Sequence, residues 1–314
     1  MRKHHQSGAA LITALLVVAL AVMLASHMAA RAYFDNARYS TLLEREQALQ
    51  FALGAEAWAS EVLIATREEA DDAVDHPNEL WAQPIAPPPF DDLPVQMEFR
   101  MEDLQGRLNL NNLVRADGQD DEAAMNRLGR LLLHRELDTA IVPAVMDWID
   151  TNTEVRFPDG AGDDHYSRLD PPYRTANRPM ASATELRLVR GVDDEVYRSL
   201  APFVAALPEP TPLNVNTAPA EVLRTLADGL SEREAQALVD ARPEEGYATV
   251  NDFLQEAPLA GREVDAGTLS VGSNYFLLRT VVELGRTQVR TQSVIYRSDA
   301  GTTRVIMRRQ GFIE

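Results

Sequence analysis

Residues 9–30, about 22 positions from Ala9 to Ala30 without a formal charge, follow a polar leader that carries Arg2, Lys3, His4 and His5. Such a run is long enough to cross a bilayer core as one helix, and its abrupt boundary falls at a small residue, Gly8. In an ordinary secretory signal the apolar stretch is shorter and the cut comes after it. Here the small residue comes before it, so losing residues 1–8 would leave the helix attached and the chain anchored. Positive charge ahead of the run and none within it places the N-terminus in the cytoplasm and the remainder across the inner membrane, in the periplasm. A plain signal anchor is the simpler alternative.

From Ala9 to Asp75 there is no proline, and Gly54 is the only glycine. One helix of about 60 residues, rising 1.5 Å each, would reach roughly 90 Å and extend well beyond the membrane. Its second half, residues 31–67, mixes Arg38, Glu44, Arg45 and Glu56 with Phe34, Leu42, Leu49, Phe51, Leu53, Trp58, Val62 and Leu63. That mixture predicts an amphipathic helix lying on a globular domain. The 314 residues leave room for two such units. The formal net charge of −18, or −20 once Arg2 and Lys3 are gone, repels phosphates and anionic headgroups, so nucleic acid is not an expected partner. There are no cysteines, which suits an exported domain whose core is large enough to fold without disulfides.

Prolines at 77, 84, 87, 88, 89 and 94 predict an extended connector. Residues 95–102 then alternate, with Val95, Met97, Phe99 and Met101 on one face, as a half-buried strand does; Leu108 and Leu110 carry the period past a turn near Gly106. Residues 275–284, 288–296 and 302–309 read as three more strands. Between these sheet signals the chain is mostly helical, with helices expected at 122–137, 140–149, 182–190, 193–207, 218–226, 232–240 and 250–256. Pro208, Pro210 and Pro212 divide that middle into two lobes, and Ala183-Thr184-Glu185-Leu186 in the first echoes Val250-Asn251-Asp252-Phe253 in the second.

The densest oxygen-donor segment holds Asp150, Asn152, Glu154, Asp159, Asp163, Asp164 and Asp170, interrupted by Gly160 and Gly162. Hard oxygen donors on a glycine-containing loop suit Ca2+, although the spacing is not that of an EF-hand. The alternative is an acidic loop held by Arg156, Arg168 and Arg174. Residues 213–223 followed by 231–242 resemble a helix-hairpin-helix, a unit that can offer backbone N–H groups to a DNA phosphate. Its hairpin, however, is Ala227-Asp228-Gly229-Leu230, and residues 213–262 hold nine acidic residues against four arginines, a balance of −5. The unit reads as a packing module, with Asn216-Thr217 and Glu221 as a helix cap. A membrane-anchored DNA-binding protein remains the second reading. The six histidines are scattered and no hydrolase, metalloprotease or phosphate-loop motif occurs, so the chain is not read as an enzyme.

The junction Ser7-Gly8-Ala9-Ala10-Leu11-Ile12-Thr13 resembles the type IV prepilin leader of type II secretion pseudopilins. Asp147-Trp148-Ile149-Asp150, the stretch 160–166, Pro171-Pro172-Tyr173, Glu185-Leu186 with Val189-Arg190-Gly191, and Leu213-Asn214-Val215-Asn216-Thr217-Ala218 further resemble the GspK family of minor pseudopilins. The resemblance implies an α+β fold: a pilin-like long N-terminal helix with a small antiparallel sheet, interrupted by a large two-lobed helical, SAM-like insertion. It divides the chain into a leader (1–8), a transmembrane part (9–30), a pseudopilin domain (31–117 and 272–314) and an inserted domain (118–271, lobes 118–207 and 213–271). It implies cleavage after Gly8 by prepilin peptidase, methylation of Ala9, and a structural Ca2+ near the acidic loop. Implied partners are the minor pseudopilins GspI, GspJ and GspH, the inner-membrane assembly platform, and secreted cargo or the outer-membrane secretin. Thr13 stands where most pseudopilins have Glu, a carboxylate that neutralises the amine of an adjoining subunit. A subunit with nothing stacked above it meets no such amine, which implies a place at the tip of the pseudopilus. Gly162 departs from the Glu more common in relatives.

Overall fold

The structure is a computed structural model describing residues 7–69, 73–83, 95–115 and 117–311. Helix α1 (Ser7–Glu69) runs unbroken for 63 residues, about 95 Å at 1.5 Å per residue. It is long and apolar enough to cross a membrane. Its first half projects alone, with Leu15, Val18, Leu24 and Phe34 all exposed. Burial begins at Ala48 and continues through Ala52, Ala55, Ala59, Val62 and Leu63, one face at helical spacing. The face is lined by alanine because large sheet residues fill the gap: Val282, Leu284 and Val289 meet Ala48 and Ala52, while Phe99, Phe276, Leu278 and Ile295 meet Ala55, Ala59 and Leu63. Burying each of those large side chains contributes about 1.5–3 kcal/mol. Of the apolar residues expected on the packed face, Phe34 is 69% exposed and Leu42, 49% exposed, only lines a cavity beside Val289 and Gln310 at the edge of the sheet.

The sheet on which α1 rests has the order β1 (Val95–Asp103), β6 (Tyr275–Leu284), β7 (Thr287–Arg297) and β8 (Thr303–Gln310), all antiparallel. The strand alternation legible in residues 95–102 holds, with Phe99 and Met101 buried and Arg100 exposed. Glu56 fastens the helix to the sheet, accepting hydrogen bonds from Ser293 on β7 and Arg308 on β8.

Strands β1 and β6 are neighbours, yet residues 104–274 separate them, so a whole domain replaces what would be a hairpin turn. Asp103 pairs with Phe276 at the exit, and Arg297, beside that exit, donates to the carbonyl of Leu63 near the C-terminal end of α1. The opposite end of the sheet lies against Ala48 and Ala52. The insert is therefore attached at the end of the sheet farthest from the apolar half of α1.

Within the insert, β2 (Leu108–Asn109) pairs in parallel with β3 (Val204–Ala205), and β4 (Leu213–Asn214) with β5 (Leu269–Ser270). Leu108 thus lies on a strand of the insert and does not prolong the large sheet. Helices α2 (Glu122–His134), α3 (Ile141–Ile149), α4 (Asp163–Tyr166) and α5 (Asp194–Leu200) belong to the first lobe; α6 (Ala220–Leu223), α7 (Glu232–Asp240) and α8 (Val250–Leu254) belong to the second. The helix expected over 193–207 stops at Leu200 because Pro202 has no N–H to continue the ladder. Leu128, Leu131, Met146, Val215, Val222, Leu238 and Phe253 lie in one apolar cluster, so the two lobes share a core.

Candidate functional site at the junction of stalk and head

Each lobe is organised around a Leu-Asn-x-Asn segment. Leu108-Asn109 and Leu213-Asn214 form the parallel pairs just described, and the first Asn in each accepts the N–H of the second, Asn111 at 3.1 Å and Asn216 at 2.9 Å. The second Asn then closes a ring. Asn111 donates to the carbonyls of Met180 (3.0 Å) and Leu207 (2.8 Å) and accepts from the N–H of Met180 at 2.8 Å. Asn216 does the same with Tyr247 (3.2 Å), Val271 (3.2 Å) and the N–H of Tyr247 at 2.8 Å. Two residues beyond Met180 and Tyr247 stand matching caps, Ser182 and Thr249, each opening a short helical turn. The echo read at 183–186 and 250–253 is the visible tail of this repeat.

The first asparagines diverge. The amide nitrogen of Asn109 donates to Asn112, the Glu209 carbonyl and Thr211, all within the insert. That of Asn214, fully buried, donates to Ser273 Oγ (2.9 Å) at the end of the insert and reaches out of it to the Asp75 carbonyl (3.1 Å) and Asp103 Oδ2 (3.1 Å). Asp103 also accepts from the hydroxyls of Thr217 (2.5 Å) and Ser273 (2.6 Å) and from the N–H of Gln105 (2.7 Å). Burial pushes its carboxyl up to about 6, and these donors hold it back from rising further. Arg297, 1% exposed, spans Asp75 at 2.5 and 2.6 Å, the Ser273 carbonyl at 2.9 Å and the Leu63 carbonyl at 3.1 Å. Only glycine fits at 272, where a Cβ would stand 2.1 Å from the Ala73 carbonyl oxygen.

One polar knot therefore joins the end of α1, the connector, β1, β7 and the base of the insert. Asn216 and Thr217, read from sequence as a helix cap with Glu221, are members of this system; the residue before α6 is Pro219, which makes no side-chain cap. Asp75, Asp103, Ser273 and Arg297 escaped the sequence reading altogether. Each looks ordinary beside its own neighbours in the chain, and apart from Gln105, two positions from Asp103, the hydrogen-bond partners of their side chains lie between 24 and 234 positions away.

The residues expected to be functional fall into three places. Residues 1–6 of the leader lie outside the described residues, while Gly8 and Ala9 lie in the first turn of α1. Thr13 donates its hydroxyl to the Ala10 carbonyl at 3.0 Å, so a polar group in the apolar run is satisfied within its own helix. The acidic segment is divided. Asp150, with Asp147 and Asp120, surrounds the guanidinium of Arg156. Asn152 donates to Asp150 and accepts the N–H of Glu154; Asp163 accepts the N–H of Thr175. Asn152, Glu154, Asp163 and Asp164 line one cavity with Asp147, Thr175 and Asn177, and Asp170 is exposed, as Asp159 is in part.

Ca2+ calls for six to eight oxygens around one point. Among the described residues no three acidic or histidine side chains converge in that way. Asp150 Oδ1 is buried without a hydrogen-bond partner, but one free oxygen falls far short of a calcium shell. The donors as arranged do not fit the ion.

A projecting apolar helix, an antiparallel sheet packed on its second half and a helical head inserted between two sheet strands define a membrane-anchored, pilin-like subunit. The family profiles for type II secretion system protein K match residues 106–209 and 213–272, one profile to each lobe. Protein K of Pseudomonas aeruginosa is 34% identical over 98% of this chain and 93% of its own length, and that of Aeromonas hydrophila is 32% identical over 98% of both. A chain from the crystal structure of the GspK-GspI-GspJ complex of the enterotoxigenic Escherichia coli type 2 secretion system superposes with a TM-score of 0.78 at 27% identity, covering 88% of this chain and 100% of that one. The chain belongs to the type II secretion system protein K family. It is a minor pseudopilin, a structural component and not an enzyme, and its apolar helix suits a single-pass anchor in the inner membrane.

Proposed function

We propose that this subunit occupies the tip of a periplasmic pseudopilus, assembling with GspI, GspJ and GspH and starting or capping the filament. The observation that carries the reading is the attachment of the insert at the membrane-distal end of the sheet, fixed by the Asn214, Asp103, Asp75 and Arg297 knot. Stalks pack side by side through the exposed apolar half of α1, while a rigid head beyond the end of the stalk fills the space in which another subunit would sit. Thr13, satisfied by Ala10, needs no amine from a subunit above.

In this reading prepilin peptidase cuts after Gly8, Ala9 becomes the methylated N-terminus, and the leader side stays cytoplasmic near the assembly platform. The head then faces cargo or the outer-membrane secretin. The test is assembly: the full chain in detergent, mixed with GspI and GspJ, should elute from a sizing column as one ternary complex. Separate peaks would count against the proposal.

The helix-hairpin-helix supports packing within the head better than DNA binding. At the hairpin, the Asp228 carboxylate pairs with Arg130 at 2.6 Å and the Asp228 carbonyl accepts from Arg262 at 2.7 Å. The position a phosphate would approach thus presents a carboxylate, and two cations near it are engaged.

A further inference from the structure

We propose that Arg156 is the resident cation of the acidic segment, holding by hydrogen bonds what a divalent ion would otherwise have to hold. This inference does not depend on the tip reading. The two lobes share one asparagine-ring arrangement, and in the second the passage from the end of α7 to the ring residue Tyr247 is a short turn. In the first lobe the equivalent passage, from the end of α3 to Met180, is the long acidic excursion 150–179. Such an excursion has little apolar material with which to hold itself: Phe157 is 97% and Val155 51% exposed.

Its anchorage is the side chain between those two. Arg156 turns inward, donating from one terminal nitrogen to Asp147 (2.8 Å) and to Asp150, and from the other to Asp120 at 2.7 Å. Asp147 and Asp150 are 4% and 2% exposed, so they are the members whose charge most needs a partner. The backbone takes part as well, the Arg156 N–H donating to both oxygens of Asp147 at 3.3 and 3.2 Å. The chain then turns back at Gly160, whose N–H bonds the Arg156 carbonyl at 2.7 Å. A Cβ at 160 would lie 2.1 Å from Asp147 Oδ2. A planar fork with fixed donors suits two carboxylates at the end of α3 and a third before α2. With the guanidinium seated there, all three carboxylates already have a cation.

Thermal unfolding of the full chain in detergent, with a chelator or with millimolar Ca2+, and calcium titration calorimetry test this. The expected result is one melting temperature in both conditions and no stoichiometric heat of binding. Arg156→Met should melt roughly 5–10 °C lower and should alone be raised by Ca2+, because its carboxylates are left without their cation. A native chain that loses stability to the chelator or binds Ca2+ stoichiometrically would overturn the proposal, as would an Arg156→Met chain as stable as the native one. Should that variant fail to fold, the native titration decides the matter alone.

Discussion

The two lobes of the head are built on one plan and put it to different uses. In the first, Asn109 and Asn111 spend every hydrogen bond inside the insert, and the lobe carries the acidic excursion. In the second, Asn216 repeats the ring of Asn111, but Asn214 turns outward to the sheet and connector. Duplicating a unit gives a larger shared core; changing the partners of one amide turns a copy into a joint. The difference separates a lobe that can vary its surface from a lobe whose geometry sets the pose of the head on the stalk.

Removing the joint should cost most. Arg297→Met leaves buried Asp75 only the more distant Arg67, 3.8 Å away, and is expected to destabilise the chain by about 3–5 kcal/mol, read as a lower urea midpoint in detergent. Asn214→Ala takes one donor from Asp103, Ser273 and the Asp75 carbonyl at once and should cost about 3 kcal/mol, against about 1–2 kcal/mol for Asn109→Ala. Hydrogen exchange should show Asn214→Ala loosening contacts between head and sheet while Asn109→Ala loosens only the first lobe. Equal losses confined to the same amides would break the comparison.

A pH series sharpens it further. The Asp103 carboxyl is raised to about 6 by burial, so the native state holds its proton more tightly than the unfolded chain does. The resulting stabilisation is fully present below about pH 4, near the unfolded value, and is lost as pH rises through about 6. Asp103→Asn should flatten that slope, a change on the order of 2–3 kcal/mol between pH 4 and 7 that unfolding midpoints would register. The smallest effects belong to what the lobes have in common. Ser182→Ala and Thr249→Ala each remove one cap and should each cost about 1 kcal/mol in the same assay.

Much of this fold was legible in the residue pattern because it follows from local period. Strand alternation at 95–102 and the three C-terminal strands emerged within a residue or two, as did α3 and α7, while α2 ends three residues short of its expected limit. The packed face of α1 was harder, since alanines carry little hydrophobic signal and the bulk that covers them comes from the sheet. The joint was not legible: Asp103 looks like the last residue of an alternating strand, and nothing near Arg297 in the chain points to Asp75 or Leu63. The acidic segment was evident as a cluster of oxygens, and Arg156 as one of three cations near it. Which charge sits at its centre depends on a turn at Gly160 that no spacing rule supplies.

The central claim is that a head locked to the distal end of its stalk stops a filament from being extended beyond it. Gold labelling of this subunit on isolated pseudopili, viewed by electron microscopy, addresses that directly. One label at a single end of each filament is the predicted result. Labels spaced along the shaft, with other subunits on both sides of them, would contradict it.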